Sequence, residues 1–372
     1  MIIGVPKETK IQEHRVGLTP TSVRELITFN HQILVETNAG LGIGFSDQDY
    51  QAAGATILDQ ACDIFAQAEF IIKVKEPNLD ECLLLKPGQI LFTYLHLAPN
   101  LALTKALIAS QAVCLAYETV SDNNGGLPLL APMSAVAGRM AIQAGAQALE
   151  KVNHGAGILL GGVPGVAAAN VVIIGGGIVG TNAASMAIGL GADVTVLDRN
   201  INSLKRLEDL LGHQVQTIYS TTEAIDYYVT KADLVIGSVL IPGAAAPKLV
   251  NKSHIQRMKK GSAIVDVAID QGGCFETSKP TTHADPTYLV DGVVHYCVAN
   301  MPGAVPKTAT MALNNATLPF IIEIANKGYQ QALLENVNLL KGLNVFNGQI
   351  TNQQVAEHLS LEYVDAGIAL LN

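Results

Sequence analysis

Residues 170–198, NVVIIGGGIVGTNAASMAIGLGADVTVLD, decide the fold. Asn170 to Ile174 is a short, nearly all-apolar run, which suits a parallel strand covered on both faces. Gly175-x-Gly177-x-x-Gly180 follows, then a helix of small residues and a second strand ending at Asp198. In this strand–turn–helix–strand setting each glycine has its own task. Gly175 permits the turn, Gly177 lets backbone approach a pyrophosphate, and Gly180 lets the helix lie close to the strand. The helix N-terminus then faces negative charge. Asp198 is placed to hydrogen-bond ribose hydroxyls and to repel a 2′-phosphate, which favours NAD over NADP.

Hydropathy alone misreads this region, because 41 residues between Lys151 and Asp193 lack any Asp, Glu, Lys or Arg. A membrane helix needs about 20 predominantly apolar residues. Eleven glycines, Pro164 and Asn170 interrupt the run and divide it into shorter elements.

Further strands are expected at DLVIGSVL (233–240), GSAIVDVAID (261–270) and VVHYCVAN (293–300), completing a doubly wound domain. A second alternation precedes it, with strands at MIIGVPKE, HQILVETNAG, FIIKVKEP, QILFTYLHL and AVCLAYETV. Thr19 followed by Pro20 marks a helix start. Long helices are expected at 134–152 and through 308–336, the latter returning to the first domain. The fold class is therefore α/β with two doubly wound domains, a Rossmann NAD-binding domain inserted into a flavodoxin-like substrate domain. The expected boundaries are 1–127 for the substrate domain, 128–308 for the Rossmann domain and 309–372 for the returning segment.

With 372 residues, 49% hydrophobic and 15% charged, the chain can bury a large core. Its net charge of −9 is spread without basic stripes, against nucleic acid or an anionic membrane as partner. Cys62, Cys82, Cys114, Cys274 and Cys297 are odd in number and lack metal-ligand spacing, which reads as reduced thiols in a cytoplasmic protein without structural zinc. The N-terminus lacks a secretory pattern.

Arg15, Lys75, His96 and Asp270 fall at or beyond the carboxyl ends of expected strands, where open α/β sheets bind ligands. In FIIKVKEP, Lys73 and Lys75 alternate onto one face of the strand. They either snorkel at a solvated strand end or aim at an anionic substrate.

GVPKE with EHRVGLTP, KVKEP, YLHLA, AYETV, APMSAVAGRMA, LLGGVPGV and VDVAIDQGG together resemble the alanine dehydrogenase family of the alanine dehydrogenase and transhydrogenase superfamily. The resemblance implies reversible oxidative deamination of L-alanine to pyruvate and ammonia with NAD, no metal, and a homo-oligomer, usually a hexamer, assembled through the GGVPGV hairpin. It implies that Arg15 and Lys75 hold the carboxylate and carbonyl oxygen of pyruvate, that His96 is the acid/base, and that Asp270 is a second polar group beside the reacting carbon and nicotinamide. Tyr94, Leu130, Met133 and Asn300 match the substrate wall. Ser134, Asp198, Val239, Leu240 and Met301 match cofactor positions, with Ser220 a looser match. It selects Lys75 alone of the two lysines, leaving Lys73 as a fold or solvation residue whose replacement is expected to matter little. Whether Asp270 moves a proton or only orients groups is open at this level, as are the physiological direction and the strictness for alanine over serine or 2-aminobutyrate. Two other readings stand beside this one: a soluble NAD(H)-binding component of transhydrogenase type, and a non-enzymatic nucleotide sensor.

Overall fold

A computed structural model describes residues 1–239 and 246–371. The chain forms two compact units, 1–133 with 305–372, and 134–304.

In the first unit, β1 (Ile2–Val5), β2 (Gln32–Glu36), β3 (Thr56–Leu58), β4 (Phe70–Ile72), β5 (Ile90–Thr93) and β6 (Val113–Ala116) pair in parallel in the order β6-β5-β4-β1-β2-β3. The five expected strands run in the flavodoxin-like order 2-1-3-4-5, and β3 is an added edge strand. The order reverses between β1 and β4, so the loops after these two strands flank the topological switch point. β1, β4, β5 and β6 are nearly all buried, as strands covered on both faces must be. After β1 the chain enters the helix Pro20–Thr28. Thr19 caps it by accepting the Ser22 N–H at 3.3 Å, and Pro20 takes the first turn, where a missing N–H costs nothing.

In the second unit, β7 (Asn170–Ile174), β8 (Asp193–Asp198), β9 (Val215–Tyr219), β10 (Leu234–Gly237), β11 (Ala263–Asp266), β12 (Thr287–Val290) and β13 (Val293–Tyr296) form a sheet ordered β12-β13-β11-β10-β7-β8-β9. All neighbours are parallel except β12, which runs antiparallel to β13. The reversal here lies between β7 and β10.

The returning segment contributes β14 (Leu343–Phe346), antiparallel to β6, and β15 (Gln349–Ile350) beyond it. Its helix Pro306–Lys327 also secures the loop after β1. The Asn314 carboxamide accepts the Thr19 N–H at 2.8 Å and donates to the Gly17 carbonyl at 3.1 Å, while Thr310 Oγ1 accepts from Val16. Among the described residues no helix is long and apolar enough to cross a membrane.

Candidate functional site

The structure corrects the expectation for FIIKVKEP. β4 stops at Ile72, so Lys73 and Lys75 are not alternate residues of one strand face. Lys73 is fully buried, with Nζ 2.9 Å from Glu81 and 3.4 Å from Glu8. Burial alone would lower its pKa, but the two carboxylates hold it above the ordinary lysine range. Burial likewise pushes the Glu8 carboxyl up, against the pull of Lys73. Lys73 is therefore a fold residue but not a solvated one, and its replacement is not expected to matter little. Removing one partner of a buried ion pair leaves an uncompensated charge, at a cost of about 3–5 kcal/mol. Lys73→Ala is expected to lower the urea midpoint by a corresponding amount, and a midpoint equal to wild type would contradict the assignment.

Lys75 is half-buried and held by its backbone. Its N–H donates to Glu8 Oε1 at 3.3 Å, and its carbonyl accepts from Thr93 Oγ1 at 2.9 Å. The Val74 N–H donates to the same Glu8 oxygen at 2.6 Å. Glu8 thus links the loop after β1 to the loop after β4 across the switch point, and the Lys10–Glu76 ion pair does so again nearer solvent.

Arg15 is only 2% exposed. Its Nε donates to Glu13 Oε1 at 2.7 Å, Nη2 to Glu13 Oε2 at 2.5 Å, and Nη1 to the Met133 sulfur at 3.2 Å. Burial works against the charge; the hydrogen bonds and charge of Glu13 more than offset it, keeping the guanidinium protonated.

His96 is exposed, three residues past β5, with φ of +48°. Its N–H donates to Glu118 Oε1 at 2.7 Å, and its ring stacks on Tyr94 with centroids 5.9 Å apart and planes 12° from parallel. The Tyr94 hydroxyl donates to the Leu129 carbonyl at 2.6 Å. Burial pushes the Tyr94 phenol far up, so it stays a neutral hydrogen-bond donor. Tyr94 and Phe92 both pack edge-on against Tyr117, which gives the end of β5 a rigid aromatic floor. Leu130 is half-buried and Met133 buried. In this unit the structure therefore brings Arg15 and Met133 into contact, as it does Tyr94 and His96.

In the second unit the glycine turn follows β7. Gly175 has φ of +108°, and a Cβ on Gly180 would lie 1.8 Å from the Gly175 carbonyl oxygen, so neither position tolerates a side chain. A Cβ on Gly177 would meet nothing within 4 Å, and Gly177 is the N-cap of the helix Ile178–Gly189. Asp198, at the end of β8, accepts from the Gly176 N–H at 2.5 Å and the Asn200 N–H at 2.7 Å, and its carbonyl accepts from Ser220 at 3.0 Å. Two supports escaped the sequence reading. Ser238 Oγ lies 2.9 and 3.0 Å from the Ile174 and Gly175 carbonyl oxygens, and Arg206 Nη2 donates to the Gly176 carbonyl at 2.8 Å.

Asp270 needs a second correction. β11 ends at Asp266, and Asp270 sits exposed on the 3-10 turn Val267–Gln271 rather than at a strand end. The buried strand-end acid is Asp266. It accepts from the Cys274 and Phe275 N–H groups at 3.2 and 3.3 Å and from Ser278 Oγ at 2.6 Å, holding the turn that displays Asp270. Asn300 has φ of +59°, Met301 is buried on the turn Met301–Ala304, Ser134 lies in the first turn of the helix Ala131–Ala148, and Val239 is half-buried. Leu240 lies outside the described residues. Among the described residues no cluster of three or more His, Cys, Asp or Glu is placed to hold a metal ion.

Comparison with known proteins matches residues 4–137 to the family described as "Alanine dehydrogenase/PNT, N-terminal domain" and residues 141–353 to its C-terminal counterpart. The alanine dehydrogenase of Halomonas elongata is 58% identical over 98% of this chain and 99% of its own length. A solved L-alanine dehydrogenase superposes with a TM-score of 0.94 at 52% identity, covering 97% of this chain and 99% of that one. A transhydrogenase structure from Sinorhizobium meliloti superposes with a TM-score of 0.81 at 24% identity, covering 95% of this chain and 99% of that one, a likeness of fold. On these matches, which reach from the first strand into the returning segment, the chain belongs to the alanine dehydrogenase/PNT family.

Proposed function

We propose that the chain catalyses the reversible oxidative deamination of L-alanine to pyruvate and ammonia with NAD. The observation that carries this reading is the placement of a buried guanidinium, a lysine held by its backbone and an exposed imidazole on the loops after β1, β4 and β5. These are the groups needed to hold a carboxylate, steady an oxygen charge and move a proton.

The glycine turn suits a dinucleotide. Its backbone is open at Gly177, a helix N-terminus favours phosphate charge, and Asp198 stands where ribose hydroxyls are read. NAD, when bound, supplies the acceptor for the hydride from the α-carbon. Arg15 holds the substrate carboxylate on its Nη1 side, since Glu13 takes the Nε/Nη2 edge, and the Met133 sulfur against Nη1 is a weak acceptor that a carboxylate outcompetes. Glu13 keeps that fork charged and oriented. After oxidation of the α-carbon, His96 takes a proton from the water that attacks the iminium and returns one to the leaving amine. Lys75 steadies the oxygen as it gains charge. Asp270 is a second polar group in the same reaction.

Cofactor choice tests the Rossmann half of the proposal. NAD is expected to be preferred strongly over NADP. Asp198→Ala is expected to narrow that preference, because it removes the repelling carboxylate and leaves exposed Arg199 beside the position. Steady-state kinetics with both cofactors measure this, and a wild-type protein using them equally would contradict it.

The proposal extends to a cytoplasmic homo-oligomer, hexameric by family resemblance. Five free thiols suit that compartment. Val163 and Val166, bridged antiparallel and 53% and 64% exposed, suit an apolar contact between copies.

A further inference from the structure

Two carboxylates of the first unit act alike at adjacent strand ends. Glu8 accepts the N–H groups of Val74 and Lys75 after β4, at 2.6 and 3.3 Å. Glu118 accepts those of Leu95 and His96 after β5, with Oε1 at 3.1 and 2.7 Å. In each case the second amide belongs to a residue with a proposed part in the chemistry. We propose that Glu118 is a positioning residue for His96, a proposal that rests on the reading of His96 as the proton-transfer group.

The backbone at His96 is the argument. A φ of +48° lies in the left-handed region, which few non-glycine residues occupy, although histidine enters it more readily than most. Leu95 is fully buried in the core, while His96 beside it is exposed and takes the left-handed conformation. Glu118, on the 3-10 turn Tyr117–Thr119 after β6, holds this backbone through charge-assisted bonds to both amides. Tyr94 fixes the ring plane by stacking, and Glu118 fixes the backbone from which the ring departs. Without the carboxylate, the Leu95 and His96 amides lose these partners and the turn is free to relax. Glu8 would give a less clean test, because it also pairs with Lys73.

The experiment compares kcat and KM for pyruvate and NADH in Glu118→Ala and Glu118→Gln, each made in the wild type and in His96→Ala. Misplacing a catalytic group by about 1 Å can cost on the order of a hundredfold. Glu118→Ala is therefore expected to lower kcat by roughly tenfold to a hundredfold with both KM values within about twofold of wild type. Glu118→Gln, which keeps one acceptor oxygen, is expected to recover most of that loss. In the His96→Ala background neither substitution should lower kcat further, since residues acting as a unit are not additive. A wild-type kcat in Glu118→Ala, or an equal loss in both backgrounds, overturns the proposal. If Glu118→Ala does not fold, Glu118→Leu, which fills the position but offers no acceptor, decides by the same comparison: a loss confined to the wild-type background supports the proposal, and no loss or an equal loss overturns it. Wild-type turnover in His96→Ala would instead defeat the reading of His96 itself.

Discussion

His96→Ala is expected to lower turnover by about 10²- to 10⁴-fold, the usual cost of removing a proton-transfer group. NADH binding, followed by fluorescence, should stay close to wild type, because the glycine turn and Asp198 belong to the other compact unit. The structure sharpens this expectation. His96 is exposed rather than packed in the core, and its ring stacks on Tyr94 while its backbone is tied to Glu118. A core histidine would lose stability on truncation; an exposed imidazole held in place for chemistry should lose turnover instead. Thermal unfolding measured beside kcat separates the two. Turnover within about tenfold of wild type would make His96 an orienting group at most.

Lys75→Ala is expected to lower kcat/KM by at least about a hundredfold, a loss of roughly 2.7 kcal/mol in stabilisation at the reacting oxygen. Lys75→Arg should rescue poorly, because a broad planar fork does not occupy the place of a compact ammonium beside a three-carbon substrate. Stability should be nearly unchanged in both variants, since Lys75 is half-buried and Glu8 holds it through the backbone N–H, which every residue except proline retains. Lys73→Ala should show the opposite pattern, a large loss of stability. A Lys75→Ala enzyme with wild-type kcat/KM would remove the ammonium from the mechanism.

The contrast between these lysines marks where sequence reading succeeds. The turn after β7 was legible because two of its glycines answer local steric demands: the positive φ of Gly175 and the 1.8 Å approach at Gly180 depend on neighbours a few residues away. The start of the helix Pro20–Thr28 was legible for the same reason. The fate of Lys73 was not, because it depends on where β4 stops and on Glu8, far off in the chain. Alternation carried from Ile72 on to Lys75, three residues past the strand end, turned a buried ion pair into a solvated face. β9, with one buried residue in VQTIY, lacks the apolar run that marked its neighbours, and β3 and β15 have only three and two residues. The residues assigned to the reaction could be named from their loops. Their anchors, Glu8, Glu13, Glu118 and Asn314, could not, because a carboxylate or carboxamide that accepts a loop amide looks in sequence like any polar surface residue.

The central claim is that this chain uses NAD to oxidise a small amino acid. The most direct measurement is NADH absorbance with NAD and a panel of L-alanine, L-serine, L-2-aminobutyrate and L-glutamate. L-alanine is predicted to give the fastest NADH formation, with pyruvate and ammonia produced in equal amounts; no alanine-dependent NADH formation by a folded, NAD-binding protein would contradict the claim.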